Sequence, residues 1–259
     1  MANKTIPNED IDYYDHDKHS YEEFWVGRDY EHLSEVEAIK KFLKNEHFKI
    51  ALDYGGGYGR LAPIVLKYSD QIILADPSVK QLDIAKKKFK DNNKIKYVKI
   101  KKSGSIEMPN SSVDLLLMIR VSHHLRDPLP TFKEINRVLN DNGRAIIEIA
   151  NYSHFVHRLK YAAKFKSIPL EPVSVGTSAN GINDITPFVN HNPRNIINLL
   201  HQSGLTITDK LSVSNLRSRV LKKNVPIQTL IKVEDKLQRP LSNIYFGPSV
   251  FFYVKKEKN

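Results

Sequence analysis

The chain places an acid and three glycines at alternate positions in Asp53-Tyr54-Gly55-Gly56-Gly57-Tyr58-Gly59: Asp53, Gly55, Gly57 and Gly59. A glycine-rich turn between a buried strand and a helix lets backbone N–H groups come close to a ligand at a helix N-terminus. The G-x-G-x-x-G dinucleotide fingerprint does not fit. Counted from Gly55 its third glycine falls on Arg60, and counted from Gly56 its second falls on Tyr58. Asp53 ends a strand just before the loop, where an ammonium group could be held. Asp76 closes the next strand, the usual place for an acid that grips ribose hydroxyls. The pair suits a ligand with an amino-acid end and a ribose. The bland alternative is a structural turn with a capping aspartate, and four features in register speak against it.

Other residues carry chemistry with less pattern. His123-His124 follow the fourth predicted strand, where a parallel sheet opens its ligand crevice. His191 lies in an irregular stretch, residues 169–193. His124, His191 and Tyr21 are the candidate proton acceptors, and a rate that rises near pH ~6.5 is expected if His191 is the base. His154 and His157 are three apart on a predicted helix but lack a carboxylate motif, so no metal site is expected. Arg120 interrupts an apolar strand and needs a partner, either a buried carboxylate or a cofactor group. The stretch 13–32 offers aromatic walls, with Trp25 and Tyr30 among them, and Arg28 beside them can pair with a carboxylate.

The elements that must position these residues alternate between strand and helix over 48–150. FKIALDY (48–54), QIILADPS (71–78), IKYVKI (95–100), VDLLLMIRVS (113–122) and RAIIEIAN (144–151) read as strands, the third nearest an edge. Helices between them are marked by Leu61, Ile64, Val65 and Tyr68, by Val79, Leu82, Ala85 and Phe89, and by Leu129, Phe132, Ile135 and Leu139, the last stopped by Gly143. Such alternation requires a mostly parallel sheet with helices on both faces, an α/β doubly wound fold. A helix is expected over about 31–45, another from Arg194 to Ser203 capped by Gly204, a strand over 205–213, and a helix from Pro226 to about Arg239. The chain reads as one domain: a lid over 1–30, a cofactor-binding core over 31–151, a helical cap with a returning strand over 152–247, and a last strand over 248–259.

Composition narrows the chemistry. The 259 residues contain no cysteine, which excludes thiolate nucleophiles, Cys-based zinc sites, Fe–S clusters and disulfides. The start, MANKTIPNEDID, has no apolar signal region and no run approaches the ~18 apolar residues of a membrane span, so a cytoplasmic protein is expected. The net charge is +11, yet residues 1–37 hold 11 acids and 3 bases. Nine lysines face one acid between Lys86 and Lys102, a weak nucleic-acid signal without arginine or stacking aromatics and more simply a solvated face.

Taken together, the motifs resemble a class I S-adenosylmethionine-dependent methyltransferase of the small-molecule group related to quinone-biosynthesis methyltransferases. ALDYGGGYGR resembles the family's first motif and ILADPS its second-strand acid. MPNSSVDLLLMIRVSHHLRDP (108–128) resembles the fourth-strand segment, and LPTFKEINRVLNDNGRAIIEIAN (129–151) the following helix, turn and strand. The resemblance covers about residues 48–151, with weaker echoes at 188–207 and 248–256. It implies a Rossmann-like sheet of seven strands, SVFFYVKK being antiparallel. It implies S-adenosyl-L-methionine as cofactor, held by Asp53, Gly55, Gly57, Gly59, Asp76 and Pro77, with Trp25 and Arg28 from the lid and Arg120 nearby. Where the family often has an acid for the adenine amine, this chain has Ser103-Gly104-Ser105, so adenine contact is expected from Ser105 and backbone groups, with Ile106 packing on the ring. The implied acceptor is a small polar or anionic molecule. An RNA or protein acceptor is the rival enzyme reading, favoured by the basic body, and a non-catalytic cofactor-binding subunit is the rival from another class. Oligomeric state is not legible.

Overall fold

Seven strands form one sheet in a computed structural model that describes residues 21–101, 105–175 and 188–257. They are β1 (Phe48–Tyr54), β2 (Ser69–Asp76), β3 (Ile95–Lys99), β4 (Val113–Met118), β5 (Leu139–Ala150), β8 (Leu205–Val213) and β9 (Ser249–Lys256), and a separate ribbon pairs β6 (Val173–Val175) with β7 (Phe188–Asn190). The sheet order is β3-β2-β1-β4-β5-β9-β8. β1 pairs in parallel with β2 on one side and β4 on the other, so the chain reverses its winding direction between β1 and β4. At such a switch point the C-terminal strand ends leave a crevice. Here Tyr54, Asp76 and Met118 close those three strands around it.

The expected seven strands and antiparallel β9 are present, with β9 inserted between β5 and β8 and β3 at the sheet edge. Continuous apolar runs such as Leu115, Leu116 and Leu117 are wholly buried because helices cover both faces. One face packs Ile39, Phe42 and Leu43 of α2 (Asp29–Leu43) and Ala62 and Val65 of α3 (Ala62–Val65) against Ile72, Leu74, Leu115 and Phe251. The other packs Phe132 and Ile135 of α5 (Leu129–Val138) and Ile196 and Leu200 of α7 (Pro193–Gln202) against Leu52, Ile147 and Phe252. α4 (Val79–Lys88) joins the first face through Leu82 and Ala85.

Three details differ from the sequence reading. α5 ends at Val138, not at Gly143, and β5 already pairs Leu139 with Val113 before an irregularity realigns Arg144 with Leu115. Gly143 sits in that irregularity, where a Cβ would lie 3.0 Å from Asn140 O and 3.1 Å from Val113 O, so it serves close backbone approach instead of stopping a helix. The helix after the glycine loop is a single turn, because Tyr68 already bonds to β1 through Phe48 N. Much of the expected cap belongs to the layers: α7 lies against α5 and β8, and α9 (Ile227–Ser242) lies against α2 and β8. The short elements α1 (Tyr21–Phe24), α6 (Phe155–Ala162) and α8 (Arg219–Asn224) complete the set. Residues 1–20 of the expected lid, Ser103, Gly104 and Lys102, and 176–187 of the irregular stretch lie outside the described residues.

The described end of the expected lid is packed against the body. Trp25 and Tyr30 are 8% and 2% exposed. Tyr30 begins α2, and its hydroxyl donates to Glu234 Oε2 at 2.7 Å while accepting from Leu216 N at 2.9 Å. Glu234, wholly buried on α9, also accepts from Asn215 N and Asn215 Nδ2. This joint ties α2, α9 and the exit of β8. Tyr30→Phe leaves a buried carboxylate and a backbone N–H without their shared partner and should destabilise the protein by about 1–3 kcal/mol, read by denaturant unfolding.

Candidate functional site

β1 carries the chain into the glycine loop, and the loop's conformation explains its spacing. Gly55, Gly57 and Gly59 have φ of +74°, +54° and +74°, the left-handed region that favours glycine. Two of the three also allow tight packing, since a Cβ on Gly55 would lie 2.3 Å from Val121 Cγ2 and one on Gly59 2.7 Å from the Phe89 ring. Gly57 differs. A Cβ there would meet the Tyr21 ring at 3.6 Å and Gln81 Oε1 at 3.9 Å, ordinary contacts that make it the least crowded of the three.

Asp76 binds the loop directly. Its Oδ2 accepts from Gly57 N at 2.8 Å and its Oδ1 from Ser78 N at 2.9 Å, with Pro77 between. A carboxylate has about four acceptor positions, so further donors such as sugar hydroxyls can still be received. Asp53 has a different environment. It is 3% exposed, and its carboxylate receives no hydrogen bond from any described residue. Burial pushes its pKa up to about 7, against which Arg60 is the opposing charge. Gln81, one turn into α4 and 1% exposed, has both amide atoms unpartnered, with Oε1 3.9 Å from the Cβ position of Gly57. Trp25 Nε1 is unpartnered too. A buried acid with a raised pKa, an amide short of partners and a left-handed glycine fit a ligand bearing an ammonium and a polyhydroxyl group. Asp53 and Asp76 would hold S-adenosylmethionine, with Gln81 beside them.

α1 and the start of α2 roof this loop. The Tyr21 ring lies 5.8 Å from Tyr58, 6.0 Å from Phe24 and 6.4 Å from Trp25. Trp25 lies under the Arg60 guanidinium at 3.7 Å, with Arg120 at 5.6 Å. Glu35, wholly buried on α2, joins both: its Oε2 accepts from Arg60 Nη2 at 2.5 Å and its Oε1 from Arg120 Nε at 2.7 Å. Burial alone would raise the Glu35 pKa, but Arg120 and Arg60 hold it below the ordinary carboxylate range. Arg120 therefore has the buried-carboxylate partner of the two that its position allowed. Its backbone is strained, with φ +64° at a non-glycine residue, and its N–H donates to buried Glu148 at 3.0 Å. Arg28 lies over the Phe24 ring at 3.7 Å.

The candidate proton acceptors are placed less favourably. His191 is wholly buried, its Nε2–H donates to Ser122 O at 3.0 Å, and burial lowers its pKa. That corrects the expectation of a base titrating near ~6.5, because burial disfavours the charged imidazole and outweighs the Ser122 and Leu125 carbonyls that favour it. Burial raises the Tyr21 hydroxyl, which stays protonated at neutral pH. His124 is exposed on the turn 122–124, its ring 4.2 Å from His123 and 5.1 Å from Phe188. The His154 and His157 rings lie 4.2 Å apart, tilted by 32°, and His157 Nδ1 bonds to Tyr152 O. Among the described residues no three metal-ligating side chains converge.

On the other flank Ile106 is buried in the core, its N–H donating to Glu134 Oε2 at 3.1 Å and its carbonyl accepting from Arg137 Nη2 at 2.7 Å. Arg137 also donates to Met108 O and Asn110 Oδ1. This pair on α5 anchors the segment that includes Ser105. The sequence reading did not single out Glu35, Arg60, Gln81, Glu134 or Arg137. For Gln81 a signal existed, since it follows Asp76 by five positions on a helix opening beside the loop.

Residues 52–147 match the family model described as a methyltransferase domain. A demethylmenaquinone methyltransferase of Lactobacillus johnsonii is 30% identical over 139 residues, which are 50% of this chain and 57% of that relative. An uncharacterised methyltransferase of Schizosaccharomyces pombe is 33% identical over 105 residues, 40% of this chain and 39% of the relative. The matches thus span about half the length of these relatives. Among solved structures, a SAM-dependent methyltransferase from Thermotoga maritima superposes with a TM-score of 0.59 at 18% identity, covering 92% of this chain and 95% of that one, a likeness of fold.

The state of Asp53 gives a test. With its pKa near 7 it is mostly protonated at pH about 6, whereas a bound ammonium requires the carboxylate. Binding of S-adenosylhomocysteine should therefore release close to one proton at pH ~6, tighten as pH rises towards ~7 and level off above. Calorimetry in buffers of different ionisation heat reads this, and Asp53→Asn should abolish the proton release.

Proposed function

We propose that the protein is an S-adenosylmethionine-dependent methyltransferase that transfers a methyl group to a small polar or anionic acceptor in the crevice above β1, β2 and β4; the match of residues 52–147 to a methyltransferase domain and the likeness of fold support this. The observation that carries the reading is the buried Asp53, its pKa raised by burial, with the unpartnered amide of Gln81 beside the left-handed Gly57. The cofactor supplies an electrophilic methyl on a sulfonium, so the protein's tasks are alignment and exclusion of water. Asp53 receives the ammonium, Asp76 the ribose hydroxyls, and Ser105 and Ile106 the adenine side. Tyr21 and Trp25 close the loop from above with aromatic faces, which favour a neighbouring cation without reacting with it.

The proton inventory bears on the acceptor. Tyr21 keeps its proton, and His191 is wholly buried, which lowers its pKa. An acceptor that arrives as an anion needs no protein base, and this favours a carboxylate or ionised oxygen over a neutral amine or alcohol. The relative that acts on demethylmenaquinone supports a small-molecule acceptor. The lysine-rich face supports nucleic acid less, since Lys86 pairs with Asp83 and Lys88 lies against Tyr58 and Phe89.

Labelled-methyl transfer against metabolite and RNA pools is the test. Label is expected in the low-mass fraction, and label in RNA or protein would replace this reading. Asp76→Ala should weaken S-adenosylhomocysteine binding by about 100-fold or more, the loss of two charge-assisted hydrogen bonds. Unchanged affinity in the folded variant would overturn the ribose assignment.

A further inference from the structure

A cavity of about 430 Å³ opens at the far edge of the sheet, among α7, β8 and the last turn of α9. β5 and β9 separate β8 from β4, so at ordinary strand spacing it lies about 14 Å across the sheet from the crevice. None of the residues assigned above to the cofactor lines it. An irregularity in β8 shapes it. Ile207 pairs with Val254 and Asp209 with Tyr253, so Thr208 is an inserted residue, its hydroxyl donating to Tyr253 O at 3.0 Å. In an uninterrupted strand Ile207 and Lys210 would point to opposite faces. The insertion turns both to the face of their partners Val254 and Phe252, where α7 packs. Lys210 thereby lines the same cavity as Ile197, Ile207 and Phe252, its apolar back.

Donors outnumber acceptors around this space. Asp209 is the carboxylate that lines it, and its Oδ1 already accepts from Arg239 Nη1 at 2.7 Å and from Lys210 N at 2.8 Å. That one oxygen brings the Arg239 guanidinium up to the backbone of Lys210. Arg239 keeps four N–H groups beyond this bond. The half-buried Lys210 lies 4.9 Å from the Tyr245 ring and forms no ion pair among the described residues. Two cations therefore face one acid, and His201 and Asn243 add further nitrogen groups to the rim. A volume near 430 Å³ with an apolar back and a few polar groups on one side is typical of a small-molecule site. An anion with two or more oxygens can take Lys210 Nζ and the open side of Arg239 together, and a short apolar portion displaces water from Ile197 and Ile207.

We propose that this cavity is a second ligand site, which takes a small organic anion, a carboxylate or phosphate monoester on a short apolar body. Lys210 and Arg239 hold the anionic group, and Ile197, Ile207 and Phe252 back the apolar part. The occupant is neither the cofactor nor the methyl acceptor, because the sheet holds it away from the crevice where the methyl group moves.

Amide NMR of the full chain saturated with S-adenosylhomocysteine reads the site residue by residue. Titration with phenyl phosphate or benzoate should saturate, with the largest shifts in 207–210 and 239–243. Inorganic phosphate should bind about tenfold more weakly than phenyl phosphate, because burying part of a phenyl ring supplies that factor. Benzamidine, a cation of similar size, should give no saturable shift there. Lys210→Gln and Arg239→Gln should each weaken phenyl phosphate by about tenfold or more, with S-adenosylhomocysteine affinity kept within about twofold. Lys236→Gln, exposed on α9 outside the cavity, should change neither. Shifts centred on 53–59, or phenyl phosphate displaced by added S-adenosylhomocysteine, would assign the anion to the crevice and overturn the proposal. A shift that never saturates, or equal weakening by Lys236→Gln, would leave only diffuse surface charge and overturn it as well. Inorganic phosphate binding as tightly as phenyl phosphate would remove the apolar half of the site and with it the proposed ligand class.

Discussion

The carboxylate of Glu35, buried and shared between Arg60 and Arg120, is the interaction on which the site depends. It joins three parts of the chain that sequence separates widely: α2, the exit of the glycine loop and the end of β4. A buried ion pair of this kind contributes little net stability against an apolar substitute but leaves costly uncompensated charge when one member is lost. Its value here is placement. Arg60 is hydrogen-bonded to Glu35 and to His32 Nδ1 at 2.6 Å and lies on the face of Trp25, so it opposes the effect of burial on Asp53 by its charge and not by a hydrogen bond.

The crevice is further defined by the way two segments interlock. Val121 lies where a Cβ of Gly55 would be, and the residue before it, Arg120, adopts a left-handed φ to send its side chain towards Glu35. Strain at Arg120 persists because its N–H is fixed by Glu148, itself bonded by Ser249 Oγ at 2.8 Å. Changes on β9 can thus reach the end of β4 through one carboxylate.

Much of this was legible in the sequence where the signal is local. The alternation of Leu52, Ile72 and Leu116 runs with amphipathic helices gave the sheet, and the spacing of Asp53, Gly55, Gly57 and Gly59 gave the loop, because backbone conformation leaves a residue-type signature at each position. Glu35 and Arg60 were hidden because nothing on α2 marks a charged residue as buried; its apolar face reads the same whether Glu35 points to solvent or to Arg120. His191 was misjudged for the same reason. A histidine in an irregular stretch looks exposed, and only the tertiary carbonyl of Ser122 fixes it as a buried donor. The boundary of α5 failed because Gly143 was assigned to helix termination, when the crowding it relieves comes from β4 across the sheet.

The insertion of β9 between β5 and β8 has a consequence for the order of synthesis. β8 leaves the ribosome before β9, yet its sheet partner is β9 alone, so it has no strand to join until the later segment arrives. Until then β5 presents an unpaired inner edge in which Ile147 and Ile149 alternate, the kind of edge that pairs with other chains. The core of β1 to β5 can assemble early, but its exposed flank waits for the last strand, and this interval is where a nascent chain of this topology is most open to misassociation.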